Sequence, residues 1–247
     1  MFVIGIDCAT DLRNVGVATG IVAGARPVVE NVTQISAPSL ARLISRARSE
    51  GHQVLIALDA PLGWPVPLAQ ALGGHRAGER IDVDAHKLFR RTTDIAIYAI
   101  TGRPPLDVGA DRIARTAHAT LALLAELRRL ANDPLPLIWQ SRFPEPAGCI
   151  EVYPAATLWA HRIPNRGYKG DKPEHAAERL VIADQLGQLL ELPPMTQVAM
   201  AASDHAIDAA TCVLAAADFL AGESQPPENL LLAQQEGWIW VRSRSDF

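Results

Sequence analysis

The chain opens on an apolar run, Phe2 to Ile6, that ends at Asp7, and a second run, Val54 to Leu58, ends at Asp59. Short unbroken apolar runs bounded by turn residues predict buried strands. Between them, Val15 to Val22 is small and β-branched and Val28 to Ile35 is mostly β-forming, with Asp11, Asn14, Gly24 and Pro27 in the turns. That pattern predicts an antiparallel meander of three strands. Pro38 then opens a helix with Leu40, Leu43, Ile44 and Ala47 on one face and Gly51 past its end. A helical crossover makes the fourth strand, Val54 to Leu58, parallel to the first.

Residues 62–148 change character. Pro65-Val-Pro67, Gly73-Gly74, Pro104-Pro105 and Pro134-Leu-Pro136 punctuate a mainly helical insertion, with helices predicted over 84–100 and 110–131. In the second, Ile113, Ala117, Leu121, Leu124 and Leu127 keep a helical period. Cys149 to Tyr153 reads as a strand, followed by a short helix from Ala155 and a Gly167-Tyr-Lys-Gly170 loop. A helix from Pro173 to about Leu190 comes next, then an Ala-rich helix over about 200–221 that stops at Gly222. Trp238 to Val241 is a final strand or a strap. The pattern predicts an α/β fold in one domain over 1–247: a mixed sheet, meander plus parallel strands, flanked by helices.

Composition narrows the class. At 49% apolar residues, and with mean hydropathy of +0.08, the 247-residue chain can bury a full core. No apolar run approaches the ~18 residues that span a bilayer, and no basic segment precedes Phe2, so neither a membrane protein nor a signal peptide is expected. Cys8, Cys149 and Cys212 form no CxxC pair and sit among apolar neighbours. They predict a reducing, cytoplasmic setting. A net charge of −4 argues against coating nucleic acid by bulk electrostatics. It leaves room for an enzyme that meets phosphate through metal ions.

The candidate chemistry is acidic. Asp7 and Asp59 end strands, Glu151 lies in a short strand near Pro154, and Asp204, His205 and Asp208 share one helical face. In an open α/β sheet, ligands gather beyond the carboxyl ends of parallel strands. Carboxylates converging there suit two Mg²⁺ or Mn²⁺ ions, with Asp7, Asp59 and Asp208 as ligands and Glu151, Asp204 or His205 as extra ligand or base. Each residue also has a structural alternative: turn acceptors for Asp7 and Asp59, a helix start for Asp204, a hydrogen-bonded helix histidine for His205. Substrate contacts are expected from Arg90, Arg91 and Asp94, from Tyr153, and from Lys169 between its glycines. Solvated or packed roles are the alternative for each.

Gly5-Ile-Asp7-Cys-Ala, Leu58-Asp59-Ala-Pro-Leu-Gly63 and Asp208-Ala-Ala on the last long helix resemble a ribonuclease-H-like fold. More closely, Asp59-Ala-Pro-Leu-Gly-Trp-Pro65, Arg91-Thr-Thr-Asp94, Glu151-Val-Tyr-Pro154, Tyr168-Lys169 and Asp204-His-Ala-Ile-Asp208-Ala-Ala resemble domain-of-unknown-function family 429. Its members are regarded as predicted nucleases of that fold, in the RuvC-like superfamily. The resemblance implies a metal-dependent nuclease acting on nucleic acid or a nucleotide, with Asp7, Asp59 and Asp208 at the metals. His205 stands three residues before Asp208, where RuvC-like resolvases often carry an Asp. Two alternatives remain: an ATP-dependent phosphotransferase of the actin and sugar-kinase type, and a non-catalytic regulatory protein that retains the fold.

Overall fold

The computed structural model describes residues 1–24 and 26–243. Strands β1 (Phe2–Asp7), β2 (Gly16–Ile21) and β3 (Val28–Gln34) form the antiparallel meander, and helix α1 (Ala37–Ser49) crosses over to β4 (Val54–Asp59). β4 runs parallel to β1, and β5 (Ala147–Glu151) parallel to β4, in the order β3-β2-β1-β4-β5. This is an α/β architecture consistent with a ribonuclease-H-like fold. β1 and all of β4 but Asp59 are buried, as expected of strands covered on both faces.

Between β4 and β5 lie α2 (Val66–Leu72), α3 (Ala85–Phe89), α4 (Thr92–Thr101) and α5 (Asp111–Ala131). After β5 come α6 (Pro154–Ala160), α7 (Pro173–Leu189), α8 (Pro194–Ala202), α9 (Asp204–Leu220) and α10 (Leu230–Glu236). α1 and α5 cover one face, where Ile4, Ile6, Leu40, Ile44, Leu58 and Leu124 pack together. α9 covers the other, with Val3, Leu55, Ala57, Val213 and Phe219 in its core. Every residue of α9 from Ala206 to Ala216 is buried, which is why small side chains fill it.

Several boundaries differ from expectation. The single helix over 84–100 is two helices, broken where Arg90 and Arg91 are extended. The Asp94 carboxylate accepts the Arg91 amide at 2.9 Å, a capping contact that starts α4 afresh. The Ala-rich helix likewise begins anew at Asp204, because Ser203 is extended at φ −141° and ψ 130°. β5 starts two residues earlier than predicted, at Ala147, so Glu151 is its last residue. Trp238 to Val241 is a strap: Ile239 makes one isolated bridge to Glu151, and Trp240 packs edge-on to Phe219 at 4.7 Å. Helices α2 and α10 were not anticipated, being too short to show a period.

Candidate metal centre

Asp7 and Asp59 are register partners at the carboxyl ends of β1 and β4. Parallel pairing therefore sets two carboxylates side by side. The third arrives from α9, which crosses β1, β2 and β4 with its backbone unusually close to the sheet. A Cβ on Gly5 would stand 2.3 Å from the Ala209 carbonyl oxygen, and one on Gly16 2.7 Å from that of His205. No side chain fits between strand and helix at either point. This contact lowers the first turns of α9 onto the strand ends, and one oxygen from each of Asp7, Asp59 and Asp208 lies within 4.8 Å of the other two.

The neighbours of these carboxylates are unequal. His205 Nδ1 lies 2.5 Å from Asp7 Oδ2. Asp208 accepts the Tyr168 hydroxyl at 2.6 Å and the Lys169 ammonium at 2.7 Å. The Asp59 carboxylate forms no hydrogen bond or ion pair among the described residues, although Lys169 is close enough to act on it. Burial raises the Asp7 carboxyl to about 6, with Asp208 adding to it and His205 opposing. Burial, then Asp7 and Asp208, push Asp59 well above the carboxylate range. The bond to Asp7 raises the His205 imidazole in turn. Three carboxyls held this close resist ionising together, and a cation is what allows them to do so.

The loop carrying Tyr168 and Lys169 is tied down from two sides. Arg179 on α7, only 6% exposed, donates through Nη1 to the carbonyls of Tyr168 and Gly170, each at 2.8 Å, and through Nε to that of Ala201. Asp204 accepts the Gly170 amide at 3.0 Å and the His205 amide at 3.0 Å. Its carboxylate thus joins the loop to the start of α9. Neither Arg179 nor the Tyr168 hydroxyl bond was anticipated, since Arg179 bonds only main-chain carbonyls and the Tyr168 acceptor lies 40 residues on.

Other expected site residues form a second cluster. Arg91, 2% exposed, meets Glu151 at 2.8 Å through Nη1 and Asp94 at 2.9 Å through Nη2. Glu151 also accepts the Leu62 amide at 3.0 Å. Burial raises the Glu151 carboxyl, against the pull of Arg91. Glu236 of α10 completes the cluster, accepting the amides of Val66 at 2.9 Å and Thr92 at 2.8 Å. These groups satisfy one another and bind α4, β5 and the strap together. Arg90 pairs at 3.3 Å with Asp107, away from the carboxylates. Tyr153 is half-buried and lines the cavity beside Asp59.

Two cavities meet at the acidic group, sharing Asp7, Cys8, Thr116 and Lys169. One, of about 300 Å³, lies on the Asp59 and Tyr153 side. The other, of about 700 Å³, opens past Asp208, His205, Arg112 and Arg115. The donor set suits a hard divalent ion. Oxygens on opposite sides of one Mg²⁺ stand roughly 4 Å apart and around one Ca²⁺ roughly 5 Å. A spread of no more than 4.8 Å fits one such ion, or two bridged by a shared carboxylate. The three aspartates can hold a metal ion.

Fold and centre together define an α/β protein with a strand-end acidic triad, of the architecture seen in ribonuclease-H-like proteins. The chain belongs to the family described as "Protein of unknown function (DUF429)", whose model matches residues 5–230. No curated protein matches it. Among the described residues, no helix is long and apolar enough to cross a membrane.

Proposed function

We propose that this protein is a metal-dependent phosphodiesterase of the nuclease type, with Mg²⁺ or Mn²⁺ held by Asp7, Asp59 and Asp208. The observation that carries the reading is the Asp59 carboxylate, which sits within 4.8 Å of two others and is bonded to no cation among the described residues, the nearby Lys169 being bonded to Asp208. Only oxygen ligands are offered, the set preferred by Mg²⁺ and Mn²⁺ over softer metals. Bound there, such ions polarise a phosphoryl group and lower the pKa of attacking water.

The remaining roles belong to this chain's own residues. Lys169, its side chain 60% exposed and its tip on Asp208, reaches into both cavities and neutralises a phosphate oxygen. His205 keeps its orientation through Asp7, and its other ring nitrogen, without a partner among the described residues, passes a proton. In the net reaction, the oxygen of water bonds to phosphorus and the bond from phosphorus to one sugar oxygen breaks. One water proton ends on that leaving oxygen, giving a phosphomonoester and an alcohol. Tyr168, Arg179 and Asp204 position Asp208 and Lys169. Arg91, Asp94 and Glu151 support the walls. The substrate is nucleic acid or a nucleotide, and one domain in the reducing cytoplasm does the work.

The test is hydrolysis of bis(p-nitrophenyl) phosphate and of labelled oligonucleotides with Mn²⁺ or Mg²⁺. Turnover that needs the ion and disappears in Asp7→Asn, with the fold retained by circular dichroism, supports the reading. Mn²⁺ binding with no turnover of any phosphodiester removes it.

A further inference from the structure

The two cavities that meet at the carboxylates differ in kind. Pro61, Pro105, Leu106, Ile113 and Tyr153 wall the smaller one. Of its charged groups, Arg91, Asp94 and Glu151 are already engaged with one another, and Asp7, Asp59 and Lys169 line it where it meets the metal centre. The rest of the wall is mainly apolar, with one aromatic ring close to the metal centre. At about 300 Å³ this slot lies at the small end of ligand sites, room for one nucleoside and not for a duplex.

Beyond Tyr153 the same wall opens into a third cavity of about 140 Å³, lined by Arg103 and Arg166. Neither arginine forms an ion pair among the described residues, although Arg166 is close enough to act on the Tyr153 hydroxyl. On the other side of the metal centre, the larger cleft presents Arg112 and Arg115, and of these Arg115 is paired with Asp111. A line of contacts results: two unpaired guanidiniums, an aromatic slot, three carboxylates, an open cleft.

Resting on the phosphodiesterase reading, we infer that the substrate is the end of a single strand. The terminal nucleoside occupies the slot against Tyr153, its terminal phosphate reaches Arg103 and Arg166, and the rest of the strand leaves past Arg112. Water's oxygen bonds to the phosphorus of the next phosphodiester, the bond from that phosphorus to the remaining strand's sugar oxygen breaks, and that oxygen takes a proton, which frees the terminal nucleotide and leaves a hydroxyl end on the strand. Because stacking on one ring is tolerant of base identity, the four bases are accepted alike.

The experiment gives the whole protein, with Mn²⁺, a linear single strand carrying a terminal phosphate, the same strand with terminal hydroxyls, its circularised form, and bis(p-nitrophenyl) phosphate. Expected are mononucleotides from the linear strands, at least about 10-fold slower loss of the circle, and about 10-fold preference for the terminal phosphate. That preference disappears in Arg103→Ala/Arg166→Ala. Ile113→Trp, which fills the slot, abolishes nucleoside monophosphate binding while calorimetry still finds Mn²⁺ bound. A circle cut as fast as the linear strand, internal fragments as first products, or a phosphate preference that survives both arginine substitutions overturns the inference and spares the phosphodiesterase. Mn²⁺ bound with none of the four substrates hydrolysed overturns both.

Discussion

His205 Nδ1 and Asp7 Oδ2 stand 2.5 Å apart although 198 residues separate them in sequence. The bond ties the first turn of α9 to the end of β1. Burial outweighs it in the titration of the metal-free centre: Asp7 ionises at about 6 against a usual 3.8, with this bond opposing the rise.

Between those two pH values the folded protein keeps a proton that the unfolded chain has lost. The stability contributed by this group is therefore greatest below about 4 and declines as pH rises through 6. At 1.36 kcal/mol per pH unit the decline amounts to about 3 kcal/mol, or roughly 6–12 °C in melting temperature for a chain of this size. Thermal melts in EDTA from pH 4 to 7 should show this component in the wild type and not in Asp7→Asn. Saturating Mn²⁺ should cancel it, since the ion favours the ionised carboxylates.

Asp59→Asn removes a carboxyl that burial and two acidic neighbours make costly to ionise. Mn²⁺ affinity should fall by more than the roughly 10–100-fold lost with an outer-shell partner. The metal-free protein should melt a few degrees higher, because the cost of burying that carboxyl, and its repulsion by Asp7 and Asp208, is relieved. Calorimetric titration and melts on the same sample check both, and unchanged Mn²⁺ affinity would remove Asp59 from the ligand set.

Arg179→Met leaves the carbonyls of Tyr168, Gly170 and Ala201 without their donor. A charged hydrogen bond lost from a buried site costs about 1.5–3 kcal/mol. Amide exchange at Gly170 should rise locally, and phosphodiester turnover should fall about 10-fold with Mn²⁺ affinity nearly intact. Loss of Mn²⁺ binding in step with turnover would mean that the loop is part of the metal site itself.

Arg91→Met strands the carboxylates of Glu151 and Asp94 in the interior and should destabilise the fold by about 3–5 kcal/mol. Arg91→Met/Glu151→Gln should recover part of that. Glu151→Gln alone should leave Mn²⁺ affinity unchanged, since Arg91 and the Leu62 amide occupy its oxygens. Weaker Mn²⁺ binding in that variant would make Glu151 a ligand.

The sheet and the triad were legible for the same reason. Asp7 and Asp59 interrupt apolar runs, and Asp208 stands among buried small residues, so each signals its cost locally. Arg91 sent no such signal. Arg90-Arg-Thr-Thr-Asp94 reads equally as a phosphate clamp or a solvated helix face, yet Arg91 is buried, with its partner Glu151 60 residues on. Tyr168 has its acceptor 40 residues away, and Arg179 bonds only main-chain carbonyls. Contacts of that kind leave no trace in spacing or composition. The breaks at Arg91 and Ser203 were hidden because helix-forming residues continue on both sides of each.

The position of α9 against β1 reaches further than packing. Where Gly5 lies under Ala209, the gap between strand and helix is gauged by bare main chain. The distance from Asp208 to the two strand-end aspartates is set by that same gauge. One methyl group at position 5 would act as a shim, lifting the helix and widening the cradle toward ions of larger radius. Discrimination among cations would thus be calibrated by a residue that coordinates nothing.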